Sequence, residues 1–359
     1  MAERIMIAMS GGVDSAAAAV LLLEQGCTCA GVNLRLFAGE ADETAPPRER
    51  SCCSLSDVED ARCAAQHLGM PFYVFNFAQL FAQSVIRRFA EGYACGETPN
   101  PCIDCNRFIK FDALLQRAAL LGYDAVATGH YARCEAAPGG RWLLRKGVDA
   151  NKDQSYVLAF LTQAQLARVR FPLGELTKPQ VRAIAAQKGL LNAEKRESQD
   201  ICFVPDGDYG AFLARRSGQP LRPGDFVDPD GRPLGKHRGT ACYTLGQRKG
   251  LGLALKSPGY VCAIRPAENT VVVGAEDLLF TRNLDARELN LIACDHLPQP
   301  LRCKAKVRYR QEEQWATAEQ TGETTLHLRF DAPQRAITPG QTVALYDGDC
   351  VVGAGVITG

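Results

Sequence analysis

A glycine-rich hexapeptide near the amino terminus constrains the fold of this chain more than any other feature. Residues 10–15 read Ser-Gly-Gly-Val-Asp-Ser and lie between a buried strand predicted over residues 4–9 and a helix predicted over residues 13–25. Two glycines allow close backbone approach, and the helix that follows presents unpaired N–H groups. Together with the hydroxyl groups of Ser10 and Ser15, these features predict an anion-binding loop. Neither the Walker A pattern nor the dinucleotide pattern G-x-G-x-x-G is present.

Strand-like and helix-like runs alternate from this loop to residue 128. A second strand is predicted over residues 28–36, a helix over 57–68, a strand over 71–77, a helix over 108–121 and a short strand over 125–128. Such alternation predicts an α/β, doubly wound parallel sheet. Sheets of this kind bind ligands at the carboxyl ends of their strands, which is where the hexapeptide lies.

The pattern changes after residue 205, where glycine and proline become frequent and alternating strand-like runs replace helices. The later runs, such as residues 304–309 and 341–346, are typical of an antiparallel barrel or sandwich. We therefore predict three parts. They are an α/β domain over residues 1–205, a small central module over 206–280 and a C-terminal, β-barrel-like domain over 281–359.

Composition limits the class of protein. Lys and Arg total 41 and Asp and Glu total 40, so the formal net charge is +1 and any nucleic acid must be bound by local patches. No apolar run reaches the roughly 18 residues of a membrane span, and no secretory signal is recognisable. The fifteen cysteines are therefore expected to be mostly reduced thiols. We expect a soluble, cytoplasmic protein with no membrane contact.

Two cysteines stand out from the residues alone. Cys105 lies in a proline-rich turn just before the helix predicted from Phe108, and the N-terminus of that helix would stabilise a thiolate. Cys202 is flanked by Ile201 and Phe203. Its residue context favours an inert, buried thiol.

The hexapeptide resembles the PP-loop of the ATP pyrophosphatase superfamily, whose members adenylate a substrate oxygen. Further segments, in family order, look like the tRNA-specific 2-thiouridylase family. These are residues 98–106 (TPNPCIDCN), 127–131 (ATGHY), 151–155 (NKDQS), 198–203 (SQDICF), 243–250 (YTLGQRKG) and 307–310 (VRYR).

This resemblance implies an activity. ATP, with Mg²⁺, would adenylate O2 of the wobble uridine of a tRNA, and sulfur would then replace that oxygen to give 2-thiouridine, AMP and pyrophosphate. Cys105 matches the nucleophile and Cys202 the persulfide carrier, with an alternate disulfide between them during turnover. A cysteine desulfurase or sulfur-relay protein would supply the persulfide.

The resemblance also implies two sets of binding residues. The ATP-binding set is Ala8, Met9, Ser10, Gly11, Gly12, Val13, Asp14, Ser15, Leu34 and Gly129. The tRNA-binding set is Asn100, Pro101, Cys102, His130, Lys152, Asp153, Gln154, Arg308, Tyr309 and Gln341. Arg308 and Tyr309 are predicted to lie on a strand of the C-terminal domain, where they suit phosphate contact and base stacking.

Cys102 departs from the best-known family pattern, which has an aspartate at this position. Together with Cys105 and Cys202 it provides three thiolates, which match a [4Fe-4S] cluster with one open iron. A zinc site completed by Cys95, Cys52 or Cys53 is an alternative, and a metal-free site is another. The sequence does not choose among the iron–sulfur cluster, the zinc site and the metal-free site.

Two other classes of function compete with this interpretation. A ligase or amidotransferase of the same superfamily would use the same loop for amine chemistry, but it would have no need for Cys105 and Cys202. An RNA-binding chaperone or a redox-sensing thiol protein would explain the β-domain and leave the ATP loop without a role.

Overall fold

The computed structural model describes residues 2–37, 55–190, 201–204, 206–218 and 220–358. Its strands are β1 (Arg4–Ala8), β2 (Thr28–Arg35), β3 (Phe72–Asn76), β4 (Ala125–Ala127), β5 (Ala132–Ala136), β6 (Trp142–Lys146), β7 (Val169–Arg170), β8 (Gly224–Val227), β9 (Pro233–His237), β10 (Tyr260–Arg265), β11 (Thr270–Gly274), β12 (Phe280–Leu291), β13 (Leu301–Lys306), β14 (Gln314–Gln320), β15 (Leu326–Arg335), β16 (Thr342–Asp347) and β17 (Cys350–Ile357).

The helices are α1 (Val13–Glu24), α2 (Leu55–His67), α3 (Ala78–Phe81), α4 (Arg87–Ala94), α5 (Pro101–Asp104), α6 (Leu114–Leu120), α7 (Ser155–Leu158), α8 (Gln163–Leu166), α9 (Lys178–Gln187) and α10 (Tyr209–Ser217), with π-helical segments at Ala82–Ile86 and Cys105–Ala113. Among the described residues, no helix is long and apolar enough to cross a membrane.

Backbone contacts divide the chain into two compact units. The first comprises Met1–Ile86, Cys102–Pro205 and Gly348–Val352, and the second comprises Arg87–Pro101, Asp206–Asp347 and Gly353–Gly359.

The first unit contains a five-stranded parallel sheet in the order β3-β2-β1-β4-β7. The predicted doubly wound α/β fold is thus confirmed. Successive strands step outward on one side of β1 and then on the other, so β1 lies at the topological switch point of the sheet. Alanines of α1 pack on the apolar side chains of β1, and removal of both surfaces from water stabilises this layer.

The second unit contains two β-structures. A four-stranded sheet has the order β10-β11-β8-β9, with its core around Phe226, Val261 and Val271. A six-stranded antiparallel barrel follows in the order β12-β15-β14-β13-β16-β17 and is closed by the pairing of β12 with residues 353–357 of β17, the part of that strand that belongs to this unit. The predicted barrel-like C-terminal domain is confirmed.

Three local predictions were wrong. The helix predicted from Phe108 begins at Pro101, because proline suits the first turn of a helix, where its missing N–H is not needed. Cys105 therefore lies inside a helical segment and not in a turn before it. Strand β13 ends at Lys306, and a bond from the N–H of Gln311 to the carbonyl of Arg308 closes a turn, so Arg308 and Tyr309 are not on a strand.

Candidate active site

The predicted anion-binding loop connects β1 to α1, and its two glycines have different functions. Gly11 has a φ of 76°, and a Cβ there would lie 2.5 Å from the carbonyl oxygen of Asp57. Only glycine fits at that position. Gly12 has an ordinary φ of −91°, and the nearest atom to a Cβ there is Ser10 Oγ at 3.5 Å. The space beside Gly12 is therefore available to a ligand.

Ser15 fixes the loop from inside. Its hydroxyl accepts a hydrogen bond from the N–H of Ser10 at 3.2 Å and donates to the carbonyl of Gly12 at 3.1 Å. Gly12 is also the N-cap of α1 and has no side chain with which to occupy the first N–H groups of the helix. A twelve-residue helix beginning this way presents N–H donors and a positive dipole end to an anion.

Asp14, in the first turn of α1, belongs to a partly buried polar cluster. Lys178 Nζ lies 2.7 and 2.8 Å from its two carboxylate oxygens, and the Tyr131 hydroxyl donates to it at 2.8 Å. The Lys178 side chain is only 10% exposed. The lysine neutralises the carboxylate, which would otherwise repel phosphate groups at the start of α1.

Sequence reasoning missed Lys178 and Tyr131 as partners of Asp14. The start of α9 is readable, because Thr177 and Gln180 form a capping box and Pro179 follows Lys178. No local pattern connects Lys178 with a carboxylate 164 positions away.

Gly129 supports the loop from the end of β4. A Cβ at this position would lie 2.8 Å from backbone atoms of both Asp14 and Ser15, so the residue must be glycine for the strand end to approach α1. Met9 and Leu34, two further residues of the predicted ATP site, are buried at the carboxyl ends of the neighbouring strands β1 and β2. The Asn33 side-chain N–H donates to the carbonyl of Met9 at 2.9 Å.

His130, predicted to contact tRNA, is buried between the rings of Phe111 and Phe171. Its Nδ1 lies 2.7 Å from Thr128 Oγ1. Burial, with a smaller contribution from Lys110, holds the pKa of His130 well below its ordinary value of 6.5. The imidazole is therefore neutral near pH 7.

The segment Lys152–Gln154 uses two of its side chains within the protein. Asp153 accepts bonds from the N–H groups of Gly147 and Ser155, at 3.1 and 3.0 Å. The Gln154 side-chain oxygen accepts from the N–H of Tyr131 at 2.9 Å. These bonds fix the segment next to Tyr131, whose hydroxyl donates to Asp14. Lys152 is half-buried.

The two predicted catalytic cysteines both lie in the first unit. Cys105 is buried and opens the π-helical segment, a form of helix that often marks functional sites. Cys202 is half-buried. The N–H of Val204 donates to the carbonyl of Ile201 at 2.9 Å, and the Phe203 ring packs edge-on against Phe81 at 5.6 Å. Phe203 is buried and Ile201 is half-buried, so Cys202 is more accessible than the buried thiol that its residue context favoured.

The same cysteines are the candidate metal ligands. Cys102 is exposed and Cys105 is buried. Within the part of the chain that the structure describes, no three His, Cys, Asp or Glu side chains are arranged to hold a metal ion, and this part includes Cys95, Cys102, Cys105 and Cys202. Cys52 and Cys53 lie outside the described residues. The described residues do not fit a cluster or a zinc ion in this arrangement.

The tRNA-site predictions in the second unit contact their own unit. The Arg308 side chain donates to the carbonyl of Ala336 and, at 3.4 Å, to Thr338 Oγ1. The Gln341 side-chain N–H donates to the carbonyl of Thr98, and the N–H of Thr98 donates to Pro339 at 2.8 Å. Gln341 thus supports the segment that ends in Asn100, which is half-buried, and Pro101, which is buried.

A parallel sheet with this loop at its switch point defines a nucleotide-dependent α/β enzyme. Family models match residues 3–206 (tRNA methyl transferase HUP domain), 210–275 (tRNA methyl transferase PRC-barrel domain) and 281–357 (aminomethyltransferase beta-barrel domain). A tRNA-specific 2-thiouridylase MnmA from Moorella thermoacetica is 52% identical over 98% of this chain and 98% of its own length.

A second relative of the same name, from Carboxydothermus hydrogenoformans, is 49% identical over 99% of this chain and 97% of its own length. The chain belongs to the tRNA-specific 2-thiouridylase family. A solved complex of a 4-thiouridine synthetase with RNA and ATP covers 56% of this chain and 45% of its own, at 20% identity and a TM-score of 0.38.

Proposed function

We propose that this protein uses ATP to replace O2 of the wobble uridine of tRNA with sulfur. The observation that carries the proposal is the similarity to 2-thiouridylases over 98% of the chain, in a protein whose first unit holds an anion-binding loop and both cysteines. The cysteines have no function in the alternative, an adenylating ligase or amidotransferase, and no relative described above supports it. Cytoplasmic localisation is part of the proposal, because tRNA is modified there.

The first step is transfer of AMP. Uracil O2 attacks the α-phosphorus of ATP, and pyrophosphate leaves. The loop supplies N–H donors of α1 and the space beside Gly12 to the phosphates, while Lys178 keeps the charge of Asp14 from opposing them. Mg²⁺ would be held mainly by phosphate oxygens and water, as is usual for this ion. Adenylation converts the oxygen into a good leaving group.

The second step is sulfur transfer. The terminal sulfur of a persulfide on Cys202 attacks C2, and AMP departs with the former O2. The Cys105 thiolate then attacks the Cys202 sulfur, which releases 2-thiouridine and leaves a Cys105–Cys202 disulfide. A thiol reductant returns both cysteines to thiols, and a cysteine desulfurase or sulfur-relay protein reloads Cys202. We propose this route without a metal, because the described thiols do not fit one.

Reconstitution with a tRNA transcript, ATP, a persulfide donor and a thiol reductant tests the proposal. Gly12→Val is expected to abolish tRNA-dependent AMP formation without unfolding, because the side chain fills the space for phosphate. Cys202→Ser is expected to retain adenylation of the tRNA, measured as tRNA-dependent pyrophosphate release, and to give no 2-thiouridine. Cys63→Ser, which changes an exposed cysteine of α2, is the matched control and should retain both. AMP release that is unchanged in Gly12→Val contradicts the assignment of the loop.

The metal-free route has a separate test at Cys102. Cys102→Asp, which restores the usual family residue, is expected to remain active in air with negligible bound iron, as is the wild type. Iron that is retained on anaerobic purification and lost together with activity in air would contradict this route. Iron content and thiolation activity measured on the same preparations distinguish the metal-free route from an iron–sulfur cluster.

A further inference from the structure

An exposed tryptophan lies on the outer face of the C-terminal barrel. Trp315 of β14 is 50% exposed, whereas Ala316 and Ala318 on the same strand are fully buried. Side chains of a strand alternate between its two faces, so the indole lies on the outside of the barrel. The residue is therefore accessible to a binding partner, and tryptophan is enriched at binding interfaces because its ring combines a large apolar surface with a polar N–H.

Two cations border the indole. Lys304 of β13 is the register partner of Trp315, and its Nζ lies 5.5 Å from the ring centroid. The Arg302 guanidinium, two residues earlier on β13, lies 5.0 Å from the same centroid. Both distances are within the range of cation–π interaction, and both cations come from β13, the strand on one side of Trp315.

Arginines lie on both strands that flank β14, and Glu319 is an exposed carboxylate further along the same side of β14. Arg302 and Arg329 are the register partners of Thr317 on the two neighbouring strands. Asp331 accepts two hydrogen bonds from Arg302, at 2.7 and 2.5 Å. Hydrogen bonding to Arg302, with Arg282 and Arg329 nearby, lowers the pKa of Asp331. The negative charge of Asp331 is therefore neutralised by these arginines.

We propose that this aromatic–basic face, made of Arg302, Lys304, Trp315 and Arg329, binds an unstacked nucleobase of the RNA substrate together with its adjoining phosphate. The proposal rests on the proposed function and names a part of the tRNA-binding surface. A flat ring stacks on any nucleobase, and flanking cations neutralise the backbone phosphate. The charge of the face complements RNA.

Affinity measurements test the proposal in the full-length protein. Trp315→Ala is expected to raise the Kd for a tRNA transcript about tenfold, because one base loses its stacking partner. Trp315→Phe should remain near wild type, since a ring is retained. Phe280→Ala, which removes another exposed aromatic ring of the same barrel, is the matched control and should leave the Kd unchanged. Equal affinity of wild type and Trp315→Ala overturns the proposal.

Fluorescence gives a second, local readout. The chain has two tryptophans, so Trp142→Phe leaves Trp315 as the only one. Titration with the tRNA transcript should quench its emission, and a blunt RNA duplex without unpaired bases should not. Emission unchanged at saturating tRNA overturns the proposal.

A protein occupant is distinguishable from RNA. If Trp315→Ala leaves tRNA affinity unchanged but slows sulfur transfer from a protein persulfide donor and not from inorganic sulfide, the face binds that protein and the RNA proposal is wrong. Failure of the proposed function itself has a different signature, because the wild type would then form no 2-thiouridine with either sulfur source.

Discussion

The pair between Asp14 and Lys178 is the residue-scale feature on which the ATP site most depends. Its lysine is nearly buried, and its carboxylate lies in the first turn of α1. Removing one partner of such a pair leaves a charge without compensation in a region of low polarity. The same chain has an exposed counterpart in Lys188 and Glu24, whose closest atoms are also 2.7 Å apart.

We predict that Lys178→Met lowers the free energy of unfolding by about 2 kcal/mol and strongly reduces tRNA-dependent AMP formation. Lys188→Met should cost less than about 1 kcal/mol, because solvent screens the exposed pair, and it should leave AMP formation intact. Urea denaturation and AMP release measure the two effects. Similar results for the two lysine variants would show that burial of the Asp14 pair has no consequence.

His130 predicts a pH dependence of stability. Its pKa in the folded state lies below the ordinary value of 6.5 that applies to the unfolded chain. Above pH 6.5 both states are neutral, and the contribution of the residue to stability is complete. As the pH falls below 6.5, the unfolded state takes up a proton first, and stability falls by up to about 1.4 kcal/mol per pH unit until the folded-state pKa is reached.

His130→Gln should remove this part of the pH dependence. Between pH 7.5 and 5.5 we expect wild type to lose about 1 kcal/mol more than the variant, because other groups contribute equally to both. Urea unfolding at the two pH values gives the difference. Equal losses would mean that His130 titrates normally in the folded protein.

At the scale of elements, the segment before Cys102 is held by the C-terminal barrel within the second unit. Arg287 of β12 forms two bonds with the carboxylate of Glu97, at 2.9 and 3.0 Å, and Gln341 donates to the carbonyl of Thr98. A Cβ on Gly340 would lie 2.7 Å from Glu97 Cβ, so the two segments are closely packed. The chain reaches Cys102 directly after this support.

We predict that Gln341→Ala slows thiolation about 10- to 100-fold with a change in tRNA Kd of less than about twofold, because small displacements of reacting groups have effects of this size. Arg287→Ala should act in the same direction. Single-turnover rates and tRNA binding measured on the same preparations separate the two quantities. A raised Kd with an unchanged single-turnover rate would instead make Gln341 a direct tRNA contact.

The elements also show how far the sequence predicts this site. The loop and α1 were predicted because hydrophobic periodicity and glycine position are local signals. The π-helical segment at Cys105 was not, since its period departs from the 3.6-residue repeat by which helices are recognised. The partner of Asp14 was missed for another reason: ion pairs over long sequence separations leave no periodic trace.

At the scale of the whole molecule, the order of fold classes along the chain was predictable. Alternating strands and helices give the parallel sheet, and the later alternating runs give the barrel. The assignment of residues to compact units was not, because Arg87–Pro101 lies in the second unit although the chain on both sides of it lies in the first. No signal in the sequence indicates that this segment belongs to a different unit from the residues before and after it. The boundaries of the three predicted domains therefore remain a proposal.

In the proposed mechanism AMP is transferred to uracil O2 before sulfur arrives, and an isotope label on that oxygen shows whether this is so. A tRNA carrying oxygen-18 at O2 of the wobble uridine would be thiolated by the wild-type protein with ATP and a persulfide donor. Mass spectrometry of the AMP and of the nucleosides follows the label. We expect labelled AMP in amounts equal to the 2-thiouridine formed, because O2 leaves with the phosphate. Thiolated tRNA accompanied by unlabelled AMP would contradict it.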